Sequence, residues 1–290
     1  MLIQDLVASE FLDHDARKGG VLKMKHPLTA AVSERIALQG NLRKAVAKGQ
    51  FVLHYQPQIR GTDTIIGVEA LLRWQHPTRG LVLPAEFIEM AELTGLIVPL
   101  GQWVLETAFT QLERWSKRAE TSEIIMAVNV SALQFQQTGF VADVLSALQK
   151  TGANPGRLKL ELTESLLITN LEDVVGKMHS LKDKGIKLSL DDFGTGYSSL
   201  LHLKRLPLDE LKIDKGFIRD ILTHPKDAPI AKMVISLASS MGISVIAEGV
   251  ETEAQRDYLA LHDCHFYQGY LFSRPLPIHQ MDELLLKTPS

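Results

Sequence analysis

The sequence has 290 residues, 45% of them hydrophobic and 22% charged, with a formal net charge of -3. This composition is not typical of a disordered chain and provides enough apolar material for one large domain or two ordinary ones. The pI of about 6.4 and the lack of any long Lys and Arg run argue against binding to long nucleic acid.

Other compositional features indicate a soluble, cytoplasmic protein. A single cysteine, Cys264, excludes an internal disulfide framework and is typical of a reducing compartment. No apolar run reaches the roughly 18 residues that suggest a membrane-spanning helix. The acidic N-terminus lacks the basic start and apolar stretch of a signal peptide.

The first 40 residues predict a linker or docking segment rather than part of a core. Leu2 to Leu12 is compatible with one short amphipathic helix, and Gly19 and Gly20 break the pattern. A helix-periodic stretch, TAAVSERIALQGNLRKAVAKGQ, follows and stops at Gly49. We therefore predict an N-terminal helical segment, residues 1–40, and one folded domain, residues 41–290.

The strand pattern predicts a barrel. FVLHYQPQI alternates as a strand, GTDT is a turn and TIIGVEALLRW returns, which indicates an antiparallel hairpin. Six apolar strands then each follow a helix-compatible segment: EIIMAVNV, RLKLELTE, IKLSLDD, LDELKID, ISVIAEG and HFYQG. Eight strands with helices between them predict an α/β fold, a closed (β/α)8 TIM-like barrel with the first strand antiparallel. An open doubly wound sheet is the alternative.

Polar side chains close six of these strands, and another lies within the second. Side chains at the carboxyl ends of barrel strands converge on one face, where barrel chemistry is built. Each such residue alone is more often a helix cap or a loop residue, but the set together predicts a site. Its members are Glu69, Asn129, Glu161, Asp191, Asp192, Lys212, Glu248 and Gln268.

The adjacent carboxylates of Asp191 and Asp192 indicate a cation, because each makes the other costlier to ionise and a metal ion between them reverses that repulsion. Together with Glu69, Asn129 and Glu161 they form an oxygen-rich set that favours Mg²⁺ or Mn²⁺ over zinc. Two such ions about 3.5 to 4 Å apart clamp a phosphoryl group and generate hydroxide from water. The predicted reaction is phosphoester hydrolysis.

Three other patterns carry no predicted chemistry. The HDCH stretch has metal-ligand residue types but no partner pair at zinc-finger spacing, so we interpret it as ordinary packing and surface. DFGTGYS matches neither the Walker pattern nor G-x-G-x-x-G, so it does not predict phosphate binding by a glycine-rich loop. No serine stands in a G-x-S-x-G motif, so the sequence does not predict a hydrolytic triad. A site role for Trp74, five residues after Glu69, is left open.

Seven motifs, in order along the chain, resemble those of the EAL-domain phosphodiesterases, bacterial enzymes that linearise cyclic di-GMP to 5′-pGpG. The resemblance covers about Leu42 to about Leu285. The motifs are EALLRW, NVSALQF, ELTES, DDFGTGYSSL, LKIDK, AEGVET and QGYLFSRP.

The resemblance implies a role for each matching residue, and the sequence departs from the family pattern at none of them. The implied metal ligands, for two Mg²⁺ or Mn²⁺ ions, are Glu69, Asn129, Glu161, Asp191 and Asp192, completed by Glu248. The implied catalytic residues are Lys212 and Gln268, which act on the attacking water, with Glu69 and Glu248. Substrate-contacting or supporting positions fall on Gln56, Leu71, Arg73, Asp214 and Glu251, and Glu164 matches the glutamate that stabilises the DDFGTG loop.

The resemblance also implies partners: cyclic di-GMP as substrate, a second copy in a homodimer and an upstream sensory or GGDEF domain. Calcium is expected to inhibit, since it prefers longer bonds and more ligands than Mg²⁺. Two other functions stay open. One is a catalytically weak cyclic di-GMP receptor or interaction module, and the other is hydrolysis of a different cyclic or linear nucleotide.

Overall fold

The computed structural model describes residues 39–168, 170–194 and 200–287. The helix predicted for Leu2 to Leu12 and the glycine break after it lie outside these residues. So does the centre of the DDFGTGYSSL motif, residues 195–199.

Eight of the ten strands in the described residues close into a barrel, and two short strands extend it. The bounds are β1 Phe51–Arg60, β2 Thr64–His76, β3 Gly80–Val82, β4 Ile125–Val130, β5 Leu158–Thr163, β6 Lys187–Phe193, β7 Glu210–Ile213, β8 Ser244–Glu248, β9 Phe266–Gln268 and β10 Leu276–Pro277. The barrel order is β1-β2-β4-β5-β6-β7-β8-β9, and β9 pairs with β1 to close the ring.

The first strand runs against its neighbours. β1 pairs antiparallel with β2 and with β9, whereas β2 and β4 to β9 form an unbroken parallel series. The predicted closed barrel with an antiparallel first strand is confirmed, and the open-sheet alternative is wrong. β3 and β10, which the sequence did not predict, pair with β2 and β1 and are too short to show a hydrophobic pattern.

Helices cover the outside of the barrel and follow the strands as predicted. Gly49, at φ 61°, lies in the turn that ends the first helix, where the sequence predicted a stop. The α-helices are α1 residues 39–47, α2 Ile88–Leu93, α3 Ile97–Ser116, α4 Ala132–Phe135, α5 Phe140–Thr151, α6 Leu171–Lys182, α7 Leu200–Leu203, α8 Lys215–Arg219, α9 Asp227–Met241, α10 Glu253–Ala260 and α11 Ile278–Lys287. Three 3-10 helices span Pro84–Glu86, Pro155–Arg157 and Glu164–Ile168.

The core divides into two apolar clusters. The larger one fills the space between strands and helices and includes Val128, Leu160 and Leu188, all fully buried. The smaller one packs Trp74 against Phe51 and other residues beside β1 and β2. Trp74 is 0% exposed and its indole nitrogen donates to Gln50 Oε1 at 3.2 Å, so it belongs to the core and not to a site.

No helix within the described ranges is both long enough and apolar enough to cross a membrane.

Candidate functional site

A cavity of about 400 Å³ opens beside the carboxyl ends of the parallel strands. Eight of its lining residues are ones that the sequence singled out: Gln56, Glu69, Leu71, Arg73, Asp191, Glu248, Glu251 and Gln268. The strands therefore bring together side chains that are up to 212 positions apart in sequence, as the Gln56 and Gln268 contact shows.

Lys212 is the centre of an acidic cluster, three of whose carboxylates, Glu69, Asp191 and Glu248, line this cavity. Its side chain is 1% exposed. The ammonium lies 2.7 Å from Glu161 Oε2 and 2.6 Å from Glu248 Oε1. It also lies 3.3 Å from Asp191 Oδ1 and 3.8 Å from Glu69 Oε2. One cation thus faces four carboxylates from β2, β5, β6 and β8.

Two amides hold the carboxylate of Glu69. Asn129 Nδ2 donates to Glu69 Oε1 at 2.5 Å, and Gln268 Nε2 donates to Glu69 Oε2. Gln268 Nε2 also lies 3.2 Å from Gln56 Oε1. The two oxygens of Glu69 are thus oriented from β4 and β9, while Gln56 on β1 accepts a second hydrogen bond from Gln268.

A β-bulge explains how two sequence neighbours serve one site. Adjacent residues in a regular strand point to opposite faces, but the register of β6 against β7 shifts between Leu190 and Phe193. Asp192 takes a left-handed backbone with φ 54°, which aspartate tolerates better than most residues. Bulges commonly re-aim side chains beside functional sites. As a result carboxylate oxygens of Asp191, Asp192 and Glu248 all lie within 4.8 Å of one another.

Burial and mutual repulsion shift the acidities of this cluster. Burial raises the pKa of Glu248 to about 8, and the charge of Asp191 adds to the shift. Burial, with the charges of Asp191 and Asp214, raises the pKa of Asp192 to about 6. The pKa of Glu161 also lies well above its usual value because the carboxyl is buried. Burial thus favours the neutral forms of these carboxyls, and a bound cation would favour their ionised forms.

The pKa values of Glu69 and Lys212 shift so that each group favours its charged form. Burial opposes the charge on Glu69, but Lys212 and the two amides outweigh it and lower the pKa of this carboxyl. Burial likewise opposes the charge on Lys212, but the surrounding carboxylates, Glu161 first, raise its pKa well above the usual value.

The donor set fits a divalent cation that prefers oxygen ligands. Asp191, Asp192 and Glu248 form a group whose oxygens are close enough to share one ion, and a cation there would offset the repulsion between their ionised forms. Carboxylate and amide oxygens suit Mg²⁺ or Mn²⁺ rather than a softer metal. Of the predicted ligands, Glu69 lines the same cavity, and Asn129 and Glu161 are bonded to Glu69 and Lys212 respectively.

The predicted substrate positions fall into two groups. Gln56, Leu71, Arg73 and Glu251 line the cavity. The guanidinium of Arg73 is largely buried and donates to its neighbour's carbonyl, Leu72 O, at 2.8 Å. Asp214 lies outside the lining; it caps α8 by accepting from Gly216 N at 2.8 Å.

Glu164 lies where the sequence placed it, just past the end of β5. It begins a 3-10 helix, Glu164–Ile168, and is 7% exposed. That helix contacts β6, the strand that carries Asp191 and Asp192. The hydroxyl of the preceding residue, Thr163, lies 2.9 Å from that of Ser165.

The cavity includes residues that sequence reasoning assigned no role: Lys215, Gly249, Gly269, Tyr270 and Pro275. Tyr270 is half exposed, and the Arg274 guanidinium lies 4.2 Å from its ring centroid. Lys215 and Tyr270 belong to the motifs LKIDK and QGYLFSRP, so the available signal was their place in a motif rather than their chemistry.

The fold and site define a class: a (β/α)8 barrel with a reversed first strand and an acidic, lysine-centred site at the carboxyl ends of its strands. The family model described as the EAL domain matches residues 39–275. The chain belongs to the EAL domain family, and the resemblance seen in the motifs is confirmed.

Similar proteins include longer signalling proteins. The chain is 42% identical over 268 residues to the bifunctional diguanylate cyclase/cyclic di-GMP phosphodiesterase MucR of Pseudomonas aeruginosa, covering 92% of this chain and 39% of that protein. It is 39% identical over 246 residues to the cyclic di-GMP phosphodiesterase PdeR of Escherichia coli, covering 85% of this chain and 37% of that protein. The chain thus spans less than half the length of these relatives.

Solved structures share the fold closely. The PaMucR phosphodiesterase in complex with c-di-GMP matches with a TM-score of 0.82 at 44% identity, covering 84% of this chain and 99% of that one. The EAL enzyme Bd1971, with cAMP and cyclic-di-GMP bound, matches with a TM-score of 0.84 at 32% identity, covering 88% of this chain and 70% of that one.

Proposed function

We propose that this protein is a metal-dependent phosphodiesterase that hydrolyses cyclic di-GMP to linear 5′-pGpG. The observation that carries the proposal is the acidic cluster around Lys212, three of whose four carboxylates line a cavity. Similarity to proteins described as cyclic di-GMP phosphodiesterases supports the choice of substrate.

Six residues would hold two Mg²⁺ or Mn²⁺ ions: Glu69, Asn129, Glu161, Asp191, Asp192 and Glu248. When bound, the ions would supply hydroxide from water at neutral pH and neutralise charge developing on the phosphoryl group.

The chain's own residues would position the reacting groups. Lys212, a buried donor between Glu161 and Glu248, would orient these carboxylates and the attacking water. Gln268, already bonded to Glu69, would hold the water from the other side. Glu69 and Glu248 complete the catalytic set by fixing the position of that water between them.

Substrate binding would use the cavity wall. The guanidinium fork of Arg73 matches a phosphate, and Gln56, Leu71 and Glu251 line the space around it. Asp214 would act indirectly, through Asp192.

The water oxygen forms a bond to phosphorus as the bond to the 3′ oxygen breaks, and the water's proton passes to that oxygen. The product is a linear dinucleotide with a 5′-phosphate.

We also propose the setting in which this activity operates. The chain covers 39% and 37% of two relatives, and the barrel would work beside a sensory or GGDEF domain. It would act in the cytoplasm as a homodimer, with residues 1–40 as a linker or docking segment. Sedimentation of the purified chain tests the dimer.

The decisive experiment incubates the purified protein with cyclic di-GMP and Mg²⁺ or Mn²⁺ and separates the products by chromatography. We expect 5′-pGpG to accumulate and chelator to stop its formation. Tight binding of cyclic di-GMP without turnover in either metal would overturn the proposal in favour of a receptor. Faster hydrolysis of another cyclic or linear dinucleotide would change the substrate assignment.

Calcium provides a separate prediction about the geometry of the site. Ca²⁺ prefers bonds of about 2.3–2.6 Å and six to eight ligands, against about 2.0–2.1 Å and six for Mg²⁺. We therefore expect Ca²⁺ to compete with Mg²⁺ and suppress turnover in a titration at fixed Mg²⁺. Robust hydrolysis with Ca²⁺ as the only divalent ion would contradict this prediction.

A further inference from the structure

The barrel interior contains a second polar cluster that the proposed mechanism does not use. It consists of Gln58 on β1, Lys159 on β5, Ser189 on β6 and Glu210 on β7, all at least nine-tenths buried. Polar groups in a barrel core are costly unless each has a partner, so their hydrogen bonds have to be accounted for one by one.

Lys159 and Glu210 form a buried ion pair at the base of this cluster. Lys159 Nζ lies 2.7 Å from Glu210 Oε1, with side chains 5% and 10% exposed. The same carboxylate oxygen accepts from Ser189 Oγ at 3.2 Å. The pair is neutral overall, and neither residue contacts the cavity described above.

Lys159 also sets the orientation of Gln58. Its Nζ lies 2.9 Å from Gln58 Oε1. An ammonium can only donate hydrogen bonds, so the amide oxygen of Gln58 must face it and the amide nitrogen must face the other way. That nitrogen lies 3.1 Å from Gln268 Oε1 and 3.4 Å from Glu161 Oε1.

The orientation of Gln58 in turn sets that of Gln268. Because the oxygen of Gln268 accepts from Gln58, its nitrogen is directed at Glu69 and at Gln56. Two site carboxylates, Glu161 and Glu69, therefore receive hydrogen bonds from a chain of amides whose direction begins at Lys159.

A glycine makes room for this chain. Gly67 is the strand partner of Gln58. A Cβ at position 67 would lie 3.3 Å from Gln58 Oε1 and 2.8 Å from the backbone oxygen of Ile125. A larger residue there would push against the amide that Lys159 orients.

We propose that Lys159, balanced by Glu210, is a positioning residue. By fixing the amide directions of Gln58 and Gln268, it holds Glu161 and Glu69 with their oxygens arranged for a divalent cation. The inference rests on the proposed function for its catalytic consequence, while its structural claim concerns metal binding alone.

The test breaks the chain of amides at two separate points. Lys159→Met combined with Glu210→Gln removes the donor without leaving a buried, unpaired carboxylate. Gln58→Met removes the amide and leaves the ion pair intact. The matched control is Lys177→Met, because Lys177 is a buried lysine outside the barrel that donates to the carbonyls of Phe135 and Gln136 at 3.1 and 3.2 Å.

Calorimetric titration with Mn²⁺, without substrate, is the first measurement on each variant, after circular dichroism has verified folding. We expect both network variants to bind Mn²⁺ about 10- to 100-fold more weakly than the wild type, as is typical when a partner of a metal ligand is lost. Lys177→Met should bind Mn²⁺ with wild-type affinity. For the two network variants, steady-state kinetics at saturating Mn²⁺ should show a lower kcat than that of the wild type, with the KM for cyclic di-GMP nearly unchanged.

The outcomes separate the two proposals. Wild-type Mn²⁺ affinity in either network variant, or an equal loss in Lys177→Met, would overturn the positioning role. If the wild type binds Mn²⁺ but does not hydrolyse cyclic di-GMP, the proposed function fails, and the comparison of affinities still decides the role of Lys159.

Discussion

At the scale of single residues, the arrangement around Lys212 shows why a metal is expected. One buried ammonium faces the carboxylates of Glu69, Glu161, Asp191 and Glu248. Burial raises the pKa values of Glu161 and Glu248, and a bound cation would favour the ionised forms of these carboxyls.

Isosteric substitution tests the metal ligands. Asp191→Asn and Glu161→Gln each remove one charge while nearly conserving volume, so we expect the fold to survive and turnover to fall by about 100-fold or more. Product analysis at saturating Mg²⁺ and a thermal melt provide the measurements. If either variant retained most of its turnover at saturating metal, the two-metal assignment would be wrong.

Glu164 supports a second prediction at this scale. It is buried at the start of a 3-10 helix that contacts β6. If it stabilises the loop after Asp191 and Asp192, Glu164→Ala should weaken metal affinity and turnover together by about 10- to 100-fold. If it contributes only a favourable charge at the helix start, the variant loses about 0.3–1 kcal/mol of stability and no activity.

Metal titration distinguishes these roles of Glu164, and sedimentation tests whether the same residue also affects the proposed dimer. If Glu164→Ala both binds the metal more weakly and dissociates more readily from the dimer, Glu164 links assembly to catalysis. Wild-type turnover and metal affinity in Glu164→Ala would leave only the charge effect.

The residue types of the site could be predicted from the sequence, but their packing could not. Strand ends and motifs identified Glu69, Glu161 and Lys212. Asp191 and Asp192 were predicted to share a site, but a regular strand would point them to opposite faces, and only the register shift in β6 shows how both reach it. Gln58 gave no signal as a positioning residue, because its partner Lys159 is 101 residues away.

At the scale of elements, the strands were predictable because most are long enough to show a pattern. β1, with 10 residues, begins with alternating burial, and a polar turn joins it to β2, with 13. β3 has three residues and β10 has two, and neither follows a helix in the repeated helix–strand order that revealed β9, which is equally short. Their positions follow from pairing with β2 and β1, which is a tertiary effect.

The start of α10 provides a prediction for an element. Thr252 and Gln255 form a capping box, and the side-chain oxygen of Gln255 also accepts from the backbone nitrogen of Glu251, which lines the cavity. We expect Thr252→Ala to cost about 1 kcal/mol, a fall of about 2–4 °C in Tm. Thr252→Ser, which keeps the capping oxygen, is the control and should melt close to the wild type; equal melting of both variants would contradict the capping role.

At the scale of the whole molecule, Cys264 reports on folding. It is 1% exposed, and burial raises the pKa of its thiol to about 12. Burial also raises the pKa of Tyr267 to about 12, and the Tyr267 hydroxyl donates to the backbone oxygen of Cys264 at 2.6 Å. The folded protein should therefore resist thiol reagents at pH 8, and Cys264 should react only on unfolding.

The same shifts predict a loss of stability in alkali. In the unfolded chain Cys264 and Tyr267 lose their protons at their ordinary pKa values of 9.0 and 10.0, whereas in the folded chain both pKa values are about 12. Between these values the unfolded chain has released the protons and the folded chain has not. The contribution of these two groups to the free energy of unfolding is fully present below about pH 9 and declines as the pH rises towards 12. Tm measured from pH 7.5 to 11 should fall over this range, and a Tm that rose with pH would contradict the assignment.

The reversed first strand has a consequence for how the protein is made. β1 and β2 can pair as soon as the ribosome has released them, but the opposite edge of β1 pairs with β9, with Ile59 opposite Tyr267, and with β10. Until these late strands arrive, β1 keeps an open edge of the kind that invites aggregation. Gln268 travels on β9, so the nascent chain acquires its amide contact to Glu69 as that edge begins to close.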